Sequence, residues 1–234
     1  MLNAVFAGKK RGSGLESQHY ALDAADGAED VLTASVFERL AYLPDDLFSA
    51  VFSDLLNEPF GPLHNIDYWP SWFKADGTRV EPDLLVQDAQ VSVLVEAKRH
   101  DYRRQQCADQ LANELVSGWH QNVLPQQCIV LTLGGLENYG HMEVSRLLRD
   151  MLVRLPEGSG VRFKLVCRSW QQLYQALETN LSPESPPGCF RLLDDIAKCY
   201  AWHGLRTHAM RWLRDLPPRA LETHPGAFSA WSIK

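Results

Sequence analysis

No apolar run in the 234 residues approaches the roughly 18–20 needed to cross a bilayer, so the sequence predicts no membrane span. The five cysteines are odd in number and include no CxxC pair, which predicts reduced thiols in a cytoplasmic protein rather than a disulfide framework. Basic charge is also short. Against 23 Lys and Arg stand 29 Asp and Glu, a formal net charge of −6. That balance argues against wholesale coating of nucleic acid, although a local basic groove is compatible with it. Lys9, Lys10 and Arg11 are followed by Gly12-Ser13-Gly14 and not by an apolar stretch, so no signal peptide is expected. The same glycines stand in the wrong order for a phosphate-binding loop. No GxSxG elbow, internal repeat or low-complexity tract is present. Cys189, Cys199, His203 and His208 have only a faint zinc-like spacing, with no close cysteine pair to anchor a site. They read as buried thiols and surface histidines.

What is present is an ordinary globular composition, 45% hydrophobic and 22% charged, in a chain long enough to bury a full α/β core. Residues 1–25 lack periodicity and are expected to form an N-terminal arm. Val31, Leu32, Val36, Leu40 and Leu43 recur at helical spacing, predicting a helix from Gly27 to Leu43. Asp26 is its expected cap, Glu29 and Asp30 lie in its first turn, and Pro44 stops it. Asp45 to Leu56 reads as a second helix. Three strands follow: His64 to Phe73, with Pro70 marking an edge or bulge, then Arg79 to Val86, then Val91 to Arg99. Asp76-Gly77 and Gln87 to Gln90 are the turns between them. Next come a helix from Asp101 to Val116 closed by Gly118, a buried strand Cys128 to Leu133, a helix Glu143 to Leu155, a strand Val161 to Val166 and a helix Trp170 to Leu177. Ser182 to Gly188 is the clearest linker. Beyond it a C-terminal helix through Leu192, Leu193, Ile196 and Tyr200 is expected, then a shorter one around His208 to Leu213. The expected organisation is an arm over 1–25, an α/β core over 26–181 and a small helical extension over 188–234.

The chemistry concentrates in Glu81-Pro82-Asp83 and Glu96-Ala97-Lys98. Side chains two apart on a strand share a face, so Glu96 and Lys98 project together, and a short hairpin brings Asp83 alongside. An acid-x-lysine on a strand is most often a solvated face or a local ion pair. Here Val91 to Val95 is apolar on both faces, which marks a central strand. An acid and a lysine at its end are then costly unless something offsets them. Two acids and an ammonium that converge have the makings of a site for a divalent metal and an activated water beside a phosphate.

Pro82-Asp83 and Glu96-Ala97-Lys98, on the second and third expected strands of an α-β-β-β-α-β order, resemble the PD-(D/E)xK, or restriction-endonuclease-like, nuclease superfamily. The resemblance covers Gly27 to Leu177. It implies a central mixed sheet flanked by helices, with Asp83, Glu96 and the backbone carbonyl of Ala97 as ligands to Mg²⁺ or Mn²⁺. Lys98 is then the residue that orients water or stabilises developing charge. The resemblance further implies an acid from the preceding helix, with Glu29 ranked ahead of Glu38. It also implies a glutamine from the helix after the third strand, with Gln110 ranked ahead of Gln106. Arg99, Arg103 and Arg104 beside that strand are expected to hold a nucleic-acid backbone. The function expected is Mg²⁺-dependent phosphodiester hydrolysis, DNA ranked ahead of RNA, leaving a 5′-phosphate. By analogy the setting is prokaryotic defence or repair, alone, as a homo-oligomer or inside a complex. The alternative is a catalytically silent subunit that keeps the fold and binds nucleic acid or a protein partner.

Overall fold

The computed structural model describes residues 28–125, 127–156 and 160–209. The expected N-terminal arm, the Asp26 cap and nearly all of the helix around His208 to Leu213 lie outside these residues. Helix α1 (Ala28–Leu40) has Glu29 and Asp30 in its first turn. It stops three residues before Leu43, where the amides of Tyr42 and Leu43 pair with Arg39 and Leu40 in a closing turn. Helix α2 (Asp45–Leu56) follows Pro44, and its Phe48, Val51, Phe52 and Leu55 recur at helical spacing to bury one face.

The expected strand His64 to Phe73 is two strands in two sheets. β1 (Asn65–Tyr68) joins the main sheet and β2 (Trp72–Phe73) a small hairpin with β3 (Arg79–Val80). Trp69, with φ +49, and Pro70 make the break. Gly77, with φ +80, turns the hairpin as its Asp-Gly signal predicts. The strand expected over Arg79 to Val86 also divides. Pro82 lacks a ladder donor, and the chain leaves β3 at Glu81-Pro82-Asp83 before entering β4 (Leu84–Gln87). β5 (Ser92–Ala97) is buried along its whole length and ends two residues before Arg99.

Helix α3 (Ala108–His120) starts seven residues later than the helix expected from Asp101. The intervening residues are tied down elsewhere, since the amides of Gln105 and Gln106 donate to the carbonyl of Gly135. Gly118 does not close α3 but lies inside it, where a Cβ would stand 2.7 Å from Leu124 and 2.8 Å from Trp72. Then come β6 (Gln127–Leu133), α4 (His141–Leu152), β7 (Arg162–Arg168) and α5 (Trp170–Asn180), the last opened by a capping box between Ser169 and Gln172. Helix α6 (Pro187–His203) begins on a proline and ends at Gly204, φ +73.

The main sheet has the order β1-β4-β5-β6-β7. β1, β4 and β5 are antiparallel neighbours, while β5, β6 and β7 run parallel. One face carries Val93, Val95, Ala97, Leu131 and Leu133 against α1, α2, α5 and α6. The other carries Leu85, Leu94 and Val130 against Leu111 and Leu115 of α3 and Leu147 and Met151 of α4. The molecule is thus a mixed α/β protein with a central five-strand mixed sheet covered on both faces. Helix α6 contributes Cys189, Ile196 and Tyr200 to the larger core cluster, so the segment beyond the linker packs as part of the core. No helix of the described residues is long and apolar enough to cross a membrane.

Candidate active site at the end of the central strand

Because β4 and β5 are antiparallel with Leu84 opposite Val95, the residue before Leu84 faces the residue after Val95. Asp83 and Glu96 therefore meet across two adjacent strand ends. The Asp83 carboxylate accepts the Ala97 amide at 2.7 Å, which locks it over the end of β5. Lys98, one residue past the strand, is anchored by its amide to Leu133 at 2.7 Å and by its carbonyl to the indole Nε1 of Trp170 at 2.8 Å. Its ammonium reaches Glu96 Oε1 at 2.6 Å and Glu29 Oε1 at 3.2 Å. The other oxygen of Glu29 accepts the Arg99 amide at 2.8 Å. Between the two helix acids the structure thus selects Glu29. Glu38 lies at the other end of α1, beside Tyr42, Leu63 and Tyr68.

From the other face of the sheet, Gln110 donates its amide nitrogen to Glu96 Oε1 at 2.7 Å and to Glu114 Oε1 at 2.9 Å. Gln106 precedes α3 instead of sharing a helical face with Gln110. Its amide bonds the carbonyls of Glu96 and Gly134, each at 3.3 Å. Glu114 is a member of the cluster that the sequence reading missed. It left a signal: Leu111, Glu114 and Leu115 stand at helical spacing on the buried face of α3, where an acid is out of place.

The electrostatics follow from burial. Glu96 and Glu114 are each 2% exposed. Burial, with Glu114 as the next cause, pushes Glu96 up to about 8. Burial likewise pushes Glu114 up to about 8, with Asp83 adding to the rise and the Gln110 bond opposing it. Asp83 is held well above the carboxylate range by burial and then by Glu96, against the pull of the Ala97 amide. Burial disfavours the Lys98 ammonium, but Glu96 and Glu29 outweigh it and raise its pKa. Four acids therefore surround one lysine. Glu96 Oε2 and Glu114 Oε2 are buried with no hydrogen-bond partner among the described residues.

No family model matches the chain. Over 220 residues it is 39% identical to the uncharacterized protein PM0110 of Pasteurella multocida, an alignment taking in 92% of this chain and 85% of that protein. The chain belongs to the PM0110 family.

In this PM0110-family chain the three expected arginines do not form one cluster. Arg99 is buried, 8% exposed, on the side of α1 and α6, where its charge reaches His203. Arg103 and Arg104 are exposed, and Arg104 lies 3.9 Å from both Glu143 and Asp150. The faint zinc set also disperses. Cys189 is in the core, His203 is buried rather than superficial, and His208 bonds Glu178 at 3.0 Å. Among the described residues no group of three or more His, Cys, Asp or Glu is arranged to hold a metal ion. The donors at the site are therefore fewer: two carboxylates, Asp83 and Glu96, with the adjacent Ala97 carbonyl. A hollow of about 690 Å³ beside Trp119 and His120 opens at the other end of β5 and contains none of these residues. All five cysteines are free.

Proposed function

We propose that this protein is a Mg²⁺- or Mn²⁺-dependent nuclease of the PD-(D/E)xK type, with DNA as its substrate. The observation that carries the reading is the meeting of Asp83, Glu96, Lys98 and Glu29 at one strand end, where acids outnumber the lysine and buried carboxylate oxygens lack donors. The order α1, α2, β1, β4, β5, α3, β6, with α1 carrying Glu29 and the β2–β3 hairpin inserted, also suits a restriction-endonuclease-like core.

The donor set fits a hard divalent cation. Mg²⁺ keeps several waters and uses only one or two carboxylates, so Asp83, Glu96 and the Ala97 carbonyl suffice without a third acid. Such a cation, when bound, supplies an activated water and offsets negative charge at the phosphate. Lys98 keeps its proton throughout the neutral range and offers ammonium donors to the charge that develops on phosphate oxygens. Glu29 fixes the ammonium from one side of the sheet, and Gln110 holds the Glu96 carboxylate from the other.

The test is cleavage of single- and double-stranded DNA with Mg²⁺, Mn²⁺ or chelator. Metal-dependent hydrolysis is expected in the wild type, with a loss of about a hundredfold or more in Lys98→Ala. Cleavage that survives Lys98→Ala undistorted removes the mechanism. DNA binding without cleavage under any cation identifies a silent nuclease-fold subunit instead.

A further inference from the structure

The chain between Lys98 and α3 is a loop whose two limbs are clipped to the same residue. Gly135 donates its amide to the carbonyl of His100 at 2.6 Å, and its carbonyl accepts the amides of Gln105 and Gln106 at 2.9 and 3.1 Å. Asp101, 7% exposed, adds a second anchor by accepting the amides of Trp170 and Gln171 at the start of α5. Only Tyr102, Arg103 and Arg104 are left to project. Tyr102 is 58% exposed.

A single exposed aromatic needs no explanation by itself. Here the anchors hold the chain on either side of the exposed ring, and two arginines follow it directly. The clip also sets the loop beside the site: a Cβ on Gly135 would stand 2.7 Å from the Cβ of Lys98. Arg104 is drawn toward Glu143 and Asp150, long contacts of small value. Arg103 has no ion-pair partner among the described residues.

We propose that the Tyr102–Arg104 tip is a subsite for an unpaired nucleotide next to the scissile phosphate, which makes single-stranded DNA the substrate class. Tyr102 stacks on the base and Arg103 pairs with the adjacent phosphate. Inside a duplex both faces of a base are already stacked on its neighbours, whereas an unpaired base can stack on the ring without that cost. This inference rests on the nuclease reading for the identity of the neighbouring site, and its test is independent of cleavage.

The probe is a fluorescein-labelled DNA strand of about 20 nucleotides, alone or annealed to its complement, titrated in chelator and read by anisotropy. The wild type is expected to bind the single strand more tightly than the duplex. Tyr102→Ala should lower single-strand affinity about tenfold with duplex affinity unchanged, and Tyr102→Phe should retain it. Unchanged single-strand binding in Tyr102→Ala, an equal loss on both probes, or no wild-type binding to either overturns the proposal. Tyr102-dependent binding by a protein that never cleaves leaves this subsite standing and removes the nuclease reading. Cleavage indifferent to Tyr102→Ala does the reverse.

Discussion

At the residue scale the decisive group is Glu114. A carboxyl whose pKa is higher in the fold than in the unfolded chain keeps its proton in the fold after the unfolded chain has released it. Its favourable contribution is complete below the unfolded value and falls as pH rises through the folded one. For Glu114 that window runs from about 4.3 to about 8. Glu114→Gln removes the group, so in chelator the variant should melt near the wild type at about pH 5 and above it by about 2–4 °C or more at pH 8. Thermal melts across that range check it, and a gap that does not widen with pH refutes it. Glu96 and Lys98 were readable from alternation along one strand, and Asp83 from the short hairpin and the family resemblance. Glu114 and the inward turn of Arg99 needed the faces of α3 and β5 to be assigned.

At the scale of elements, the site depends on how β6 ends. Gly134 and Gly135 both have positive φ, and a Cβ on Gly134 would stand 2.1 Å from the carbonyl oxygen of Lys98. That carbonyl is the acceptor for Trp170. Gly134→Ala is therefore expected to cost about 2 kcal/mol or more, from backbone strain and displacement of the Lys98 segment. A urea unfolding midpoint unchanged from the wild type would count against this. The same turn explains the late start of α3, since Gly135 captures the amides of Gln105 and Gln106. Periodicity reports which residues can be helical, not which amides another loop has taken, and so the expected helix began at Asp101. The strand expected over Arg79 to Val86 ran straight through Pro82, and its division into two strands in two sheets was not legible from alternation.

At the scale of the molecule, α6 is a structural member of the core. Tyr200 is fully buried and its hydroxyl donates to the Trp170 carbonyl at 2.7 Å, while the indole of Trp170 holds Lys98. A chain ending at Leu181 uncovers α1 and α5 and removes Cys189, Ile196 and Tyr200 from the larger cluster. It is expected to lose cooperative melting and to bind a hydrophobic dye, which calorimetry and dye fluorescence will show. A cooperative, dye-silent truncation would make α6 dispensable.

The sequence by itself determined the mixed α/β class, most of the helices and the shared face of Glu96 and Lys98, because these depend on local periodicity, while the tight hairpin after Asp83 brought the third member within reach. The tertiary structure decided the choice of Glu29 over Glu38, the contact of Gln110 with both Glu96 and Glu114, and the dispersal of the arginines. It also decided that α6 belongs to the core and that the loop carrying Tyr102 is clipped to Gly135, which lies against Lys98. Each of these depends on contacts between segments far apart in the chain, and spacing along one segment carries no record of the face another presents to it.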